Sequence, residues 1–172
     1  MAIRSKRRKP TGAIDPATGV IRFDESDLVL RPSTTRKELL ASPLGQFAET
    51  SPDNNHIVHL GLALGRIGGR NFSVTVAFWP SRTIDYVSLS LRDEFPGTTF
   101  EQEMTRDASH KRWLRKEFPQ ITVQTLGERE FPWGTITSRY VYQDEVSRIF
   151  ITYHPPNDRP QRPARRRAQP KG

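Results

Sequence analysis

Cysteine is missing altogether from the 172 residues. Its absence excludes disulfides, thiol catalysis, iron–sulfur clusters and cysteine-ligated zinc. Long apolar runs are missing too. Hydrophobic residues make up only 34%, and no segment approaches the roughly 20 apolar residues that span a bilayer. The basic opening, Met1 to Pro10, leads into no apolar stretch and does not read as a secretory signal. A soluble, cytoplasmic protein is the expectation. Acidic residues are lacking at both ends. Residues 1–10 carry Arg4, Lys6, Arg7, Arg8 and Lys9, a net of +5, and residues 159–172 carry Arg159, Arg162, Arg165, Arg166, Arg167 and Lys171, a net of +6. The formal charge of +8 therefore leaves residues 11–158 at −3.

This division sets the expected organisation. Residues 1–11 read as a basic disordered segment, 12–154 as a single α+β domain, and 155–172 as a Pro/Arg-rich disordered tail, because neither end has apolar surface enough to offset its ordering entropy. Within the body, Val20–Phe23 and Asp27–Leu30 predict two short strands. Thr35 with Glu38 predicts a capping box and a short helix over about 35–41. Alternation then places Val58, Leu60, Leu62 and Leu64 on one face, followed by a turn at Gly68-Gly69. Phe72, Val74, Val76 and Phe78 line the same side of the next strand, and Val87, Leu89 and Leu91 the next. This pattern predicts an antiparallel meander with one face covered. Thr98 with Glu101 suggests a second capping box opening a helix over about 98–118. Phe100, Met104, Ala108, Leu114 and Phe118 form its apolar stripe, and Glu101, Glu103, Arg106, Arg112 and Arg115 its charged side. A short strand is expected at 121–123. A hairpin, 135–142 and 146–153, turns at Gln143-Asp-Glu145. The fold class predicted is α+β: an antiparallel sheet of about six strands with the two helices packed on it.

Residues that could carry chemistry do not assemble into a catalytic set. His56 and His59 are three apart on a strand, which puts their rings on opposite faces and prevents joint metal ligation. His110, three residues from both Asp107 and Trp113, reads as a helix-surface group pairing with Asp107. No G-x-S-x-G, S-x-x-K, Gly-Lys-Ser/Thr or H-E-x-x-H pattern occurs. Arg66 and Arg70 flanking Gly68-Gly69 could grip a phosphate, but a hairpin turn accounts for the same residues. The expectation is no enzyme, no cofactor and no metal. Two binding surfaces are then candidates. Trp79, Trp133, Tyr140 and Tyr142, with the acidic turn pairs Asp93/Glu94 and Asp144/Glu145, suit a protein partner; a second layer covering Trp133 is the alternative reading there. Arg7, Arg8, Arg165, Arg166 and Arg167 suit nucleic-acid phosphate.

Three pieces of the chain carry a resemblance. They are Gly19-Val-Ile-Arg-Phe-Asp-Glu-Ser-Asp-Leu-Val-Leu-Arg-Pro32 with Thr35-Arg-Lys-Glu-Leu-Leu-Ala-Ser-Pro-Leu44, then His110-Lys-Arg-Trp-Leu114, then Phe131-Pro-Trp-Gly-Thr-Ile-Thr-Ser-Arg-Tyr140 with Ser147-Arg-Ile-Phe-Ile-Thr-Tyr153. Taken in this order, they resemble a group of small bacterial immunity-type proteins encoded beside polymorphic, secreted toxins. The resemblance implies a non-enzymatic protein that binds a cognate toxin or effector domain and blocks its active site. It supplies no catalytic residues.

Overall fold

The computed structural model describes residues 13–24, 27, 29–42, 45–50, 57–60, 65–79, 83–92, 99–119 and 128–155. Strands β1 (Ile21–Arg22) and β2 (Val29–Leu30) pair antiparallel, Ile21 opposite Leu30. Helix α1 (Arg36–Ala41) starts where Thr35 Oγ1 accepts the Glu38 N–H and the Glu38 carboxylate accepts the Thr35 N–H, so the expected capping box is formed.

Eight further strands make the principal sheet among the described residues. They are β3 (Ala48–Thr50), β4 (Ile57–Leu60), β5 (Arg66–Ile67), β6 (Arg70–Phe78), β7 (Ile84–Leu91), β8 (Glu128–Phe131), β9 (Gly134–Val141) and β10 (Val146–Tyr153). The order is β3-β4-β6-β7-β10-β9-β8, with β5 paired to β6 and every pairing antiparallel. The α+β class is as the sequence implies. The strand number exceeds six because short pieces without an alternating signal, such as β3 and β5, join its edges. Helix α2 (Phe100–Glu117) crosses from β7 to β8, and the last hairpin then returns β10 to the middle of the sheet. The helix starts one residue later than expected: Thr99 and Gln102, not Thr98 and Glu101, form its capping box. Thr98, His56, Leu62, Leu64 and the strand expected at 121–123 lie outside the described residues.

The core follows the period-two pattern. Phe72, Val74, Val76 and Phe78 of β6, Val87, Leu89 and Leu91 of β7, and Ile149, Ile151 and Tyr153 of β10 are all buried. Each such side chain contributes about 1.5–3 kcal/mol on leaving water. Helix α2 and the N-terminal unit share the covering of this face, with Ile14, Ile21, Phe23, Leu30 and Leu39 completing the cluster. The Tyr153 hydroxyl donates to the Gly19 carbonyl at 2.7 Å, tying the last strand to the first turn, and burial raises its pKa above the ordinary phenol range. The opposite face carries Ser73, Thr75 and Ala77 of β6, Tyr86 and Ser88 of β7 and Phe150 of β10. Tyr86 and Phe150 pack edge-on at 5.8 Å, and the Arg139 guanidinium lies 4.9 Å over the Phe150 ring.

The Gly68-Gly69 turn resolves the phosphate question. Both glycines have positive φ, +58° and +80°, the backbone of a two-residue hairpin turn. Their N–H groups point at an anion already present: they donate to the Asp24 carboxylate at 3.2 and 2.6 Å, and Arg66 Nε lies 3.9 Å from it. The chain's own aspartate fills the cradle. Asp24→Ala leaves these amides without that acceptor and is expected to cost about 1–3 kcal/mol. Urea denaturation checks it; an unchanged midpoint and slope would show that water replaces the carboxylate.

Candidate functional site

Helix α2 packs on β7, β10 and β9 through an unexpected face. Its buried residues are Glu103, Arg106, Asp107, Ser109, His110, Trp113 and Leu114. The expected apolar stripe is overturned over its first half. Phe100 is 62% exposed, Met104 44%, and Ala108 is exposed, while Glu103 and Arg106, assigned to the solvent side, are buried. Leu114 and Phe118 are buried as expected. The physical reason lies in the sheet beneath the helix.

The ladder between β7 and β10 ends at the pair Leu89 and Ile149. Two residues beyond that pair, Leu91 and Ser147 turn their N–H groups to the helix instead. Leu91 N–H donates to His110 Nε2 at 3.0 Å, and Ser147 N–H donates to Glu103 Oε2 at 2.6 Å. Ser147 Oγ donates to the Glu103 carbonyl at 2.7 Å, and Ser138 Oγ donates to Asp107 Oδ1 at 3.1 Å. Arg106 forms an ion pair with the second Glu103 oxygen, and Lys111 Nζ sits 2.5 Å from Asp107 Oδ2. Strand N–H groups released from a ladder need acceptors when buried. Polar helix residues supply them, and this fixes the helix's rotation.

His110 is therefore no surface ion-pairing group. Its ring is fully buried, and since Nε2 accepts, the neutral ring carries its proton on Nδ1. Burial pushes its pKa down to about 4; Asp107 opposes this, while Arg106 and Lys111 reinforce it. Arg106 is lowered as well, by burial and by the charge of Arg92. His110 Nε2 is taken up by the Leu91 N–H, and Asp107 by Ser138 Oγ and Lys111 Nζ.

The rotation that buries Glu103 and His110 turns Phe100 and Met104 outwards, beside the tip of the β9–β10 hairpin. Phe100 packs edge-on against Tyr140 at 5.6 Å, and Tyr140 against Tyr142 at 5.0 Å. Tyr142 is 83% exposed. The hairpin turn brings Asp144 and Glu145, both exposed, to the same end, and Asp144 lies 3.6 Å from Arg148. Glu145 has φ +54°, a left-handed backbone that a non-glycine residue seldom adopts.

The candidate partner-binding residues thus divide. Tyr140, Tyr142, Asp144 and Glu145 come together. Trp133 lies at the other end of β9, where it stacks on Phe131 at 4.8 Å, packs against Tyr153 and donates its indole N–H to the Pro16 carbonyl. It is a half-buried part of the second layer, and forms one wall of a cleft of about 570 Å3 with Arg31, Thr83 and His154. Trp79 sits half-buried at that same end, its backbone N–H donating to the Thr83 carbonyl. Asp93, Glu94, Arg7, Arg8, Arg165, Arg166 and Arg167 lie outside the described residues. Phe100 and Met104 were missed because their spacing also fits a core stripe. His59 lies on β4 with Nδ1 3.0 Å from Thr75 Oγ1. No group of three or more potential metal ligands converges among the described residues, and none of their helices is long and apolar enough to cross a membrane.

One chain of a solved structure, "Rhs1-CT in complex with cognate immunity protein RhsI1", shares this fold. The TM-score is 0.54 and the identity 13%, over 83% of this chain and 87% of that one. No protein-family model matches the sequence, and no curated protein does.

Proposed function

We propose that this chain is an immunity protein that works in the cytoplasm, binding a cognate antibacterial toxin domain and occluding its active site. The observation that supports the reading most is the fold it shares with a chain from a toxin–immunity complex. The resemblance of three sequence pieces to immunity-type proteins points the same way. Occlusion needs a folded body with a complementary surface and no chemistry of its own, and His110 and Asp107, the helix pair considered from sequence, bond to Leu91 and Ser138 of the sheet beneath α2.

Co-expression tests the proposal. The probe is the variable C-terminal domain of a large secreted protein encoded immediately upstream of this chain's gene; the absence of any such neighbour would itself count against the proposal. Cells producing that domain are expected to survive only with this chain present, the two are expected to co-purify, and this chain alone is expected to be harmless. Toxicity of this chain alone would assign it to the toxin side of such a pair; survival unchanged by its presence would end the immunity reading.

A second reading rests on the charge at the ends, where Arg7, Arg8, Arg165, Arg166 and Arg167 could bind nucleic-acid phosphate with a steep salt dependence. Removing residues 1–10 and 159–172 separates the two. Neutralisation is expected to survive the deletion. Its loss, together with salt-sensitive DNA or RNA binding by the intact chain, would favour the second reading.

A further inference from the structure

We infer that the toxin-facing surface is the aromatic patch of Phe100, Met104, Tyr140 and Tyr142, and that its occupant is a basic face of the toxin domain. The inference rests on the immunity reading above and names the surface and the partner chemistry. Single exposed apolar residues are ordinary on a soluble protein. Here Phe100 and Tyr142 are linked through Tyr140, and Met104 follows Phe100 by one turn of α2; the three are the large exposed hydrophobics among the described residues. Convergence of this kind marks an interaction surface, and tyrosine rings give large contact area for little lost rotamer freedom. The buried contacts of Glu103 and His110 hold α2 in the rotation that presents Phe100, so the patch is set before any partner arrives.

Charge selects the occupant. The exposed carboxylates at the rim are Glu101 beside Phe100, and Asp144 and Glu145 on the hairpin turn. Arg148 offsets part of Asp144, and the exposed Arg92 at the end of β7 lies at the same end, so the carboxylates outnumber the cations three to two. Two copies of this surface would repel, whereas a Lys- or Arg-bearing surface would be drawn in and could lay guanidinium groups on the tyrosine rings. The backbone at Glu145 points the same way. Glycine or asparagine would sit at φ +54° without strain, yet the position holds a carboxylate.

The test measures association and dissociation rates for the full chain against the adjoining toxin domain, inactivated at its own active site. Phe100→Ser with Tyr142→Ser is expected to raise the dissociation rate about 30-fold or more. Glu101→Lys with Glu145→Lys is expected to slow association about tenfold and flatten its salt dependence. Glu145→Gly is expected to raise the melting temperature while slowing association, a combination that loss of folding cannot produce. Arg115→Ala, on the exposed far half of α2, serves as the unaffected control. If wild type binds and the patch variants bind equally well, the surface assignment is wrong and the immunity reading stands. If wild type fails to bind or protect, both fall. If the patch variants abolish a wild-type dimer instead, the occupant is a second copy of this chain.

Discussion

Glu103→Ala is expected to destabilise the protein by about 3–5 kcal/mol, the range for removing one partner of a buried ion pair. Three losses coincide. Arg106 keeps its charge in a buried position without the Glu103 carboxylate, the Ser147 N–H loses its acceptor, and α2 loses a strong link to β10. The Ser147 hydroxyl bond to the residue-103 carbonyl survives, because it uses backbone. Glu103→Gln keeps an oxygen for Ser147 and removes the charge, so it is expected to cost roughly half as much. Chemical denaturation with a constant slope measures both. A cost under about 1 kcal/mol for Glu103→Ala would show that water reaches Arg106 and Ser147, and that α2 is held by Trp113 and Leu114 instead.

Acid is expected to weaken the fold through His110. Burial lowers its folded pKa to about 4 from the ordinary 6.5, so between those values the unfolded chain binds a proton that the folded chain excludes. This contribution is fully present above pH 6.5, is lost progressively as pH falls, and is gone below about pH 4. The shift corresponds to about 3 kcal/mol over that window. Asp107, Arg106 and Lys111 all influence the ring, so the isolating experiment compares wild type with His110→Gln. Glutamine retains an acceptor for the Leu91 N–H but cannot titrate there. Wild type is expected to lose more stability than His110→Gln between pH 6.5 and 4. Parallel curves for the two proteins would mean that the ring is protonated in place and that the site opens to water.

Alternation on β6, β7 and β10 is local and was legible, because one residue of slip would carry Phe72, Leu89 or Ile149 to the wrong face. The Thr35–Glu38 cap, the Gly68-Gly69 turn and the Gln143–Glu145 turn were equally legible, since their chemistry lies within a few residues. Tyr140 and Tyr142 stood out as candidate contact residues because they are aromatics expected on the outer face or rim of the sheet. Phe100 and Met104 did not. Helical spacing fits both the stripe through Phe100, Met104 and Ala108 and the one through Glu103, His110 and Leu114, and composition favours the first. The Gly68-Gly69 cradle was recognised as able to hold an anion, but its occupant, Asp24, lies 44 and 45 residues away in sequence.

By itself the sequence determined the α+β class, the division of charge between the ends and the body, and the alternating core. These follow from short-range periodicity and counting. Only the tertiary structure decided which way α2 faces. That orientation answers to two strand N–H groups, Leu91, 19 residues from His110, and Ser147, 44 residues from Glu103, left without ladder partners where β7 and β10 part. A buried donor must be satisfied wherever its acceptor comes from. Meeting that demand took the polar face of the helix inwards and left an aromatic surface outside.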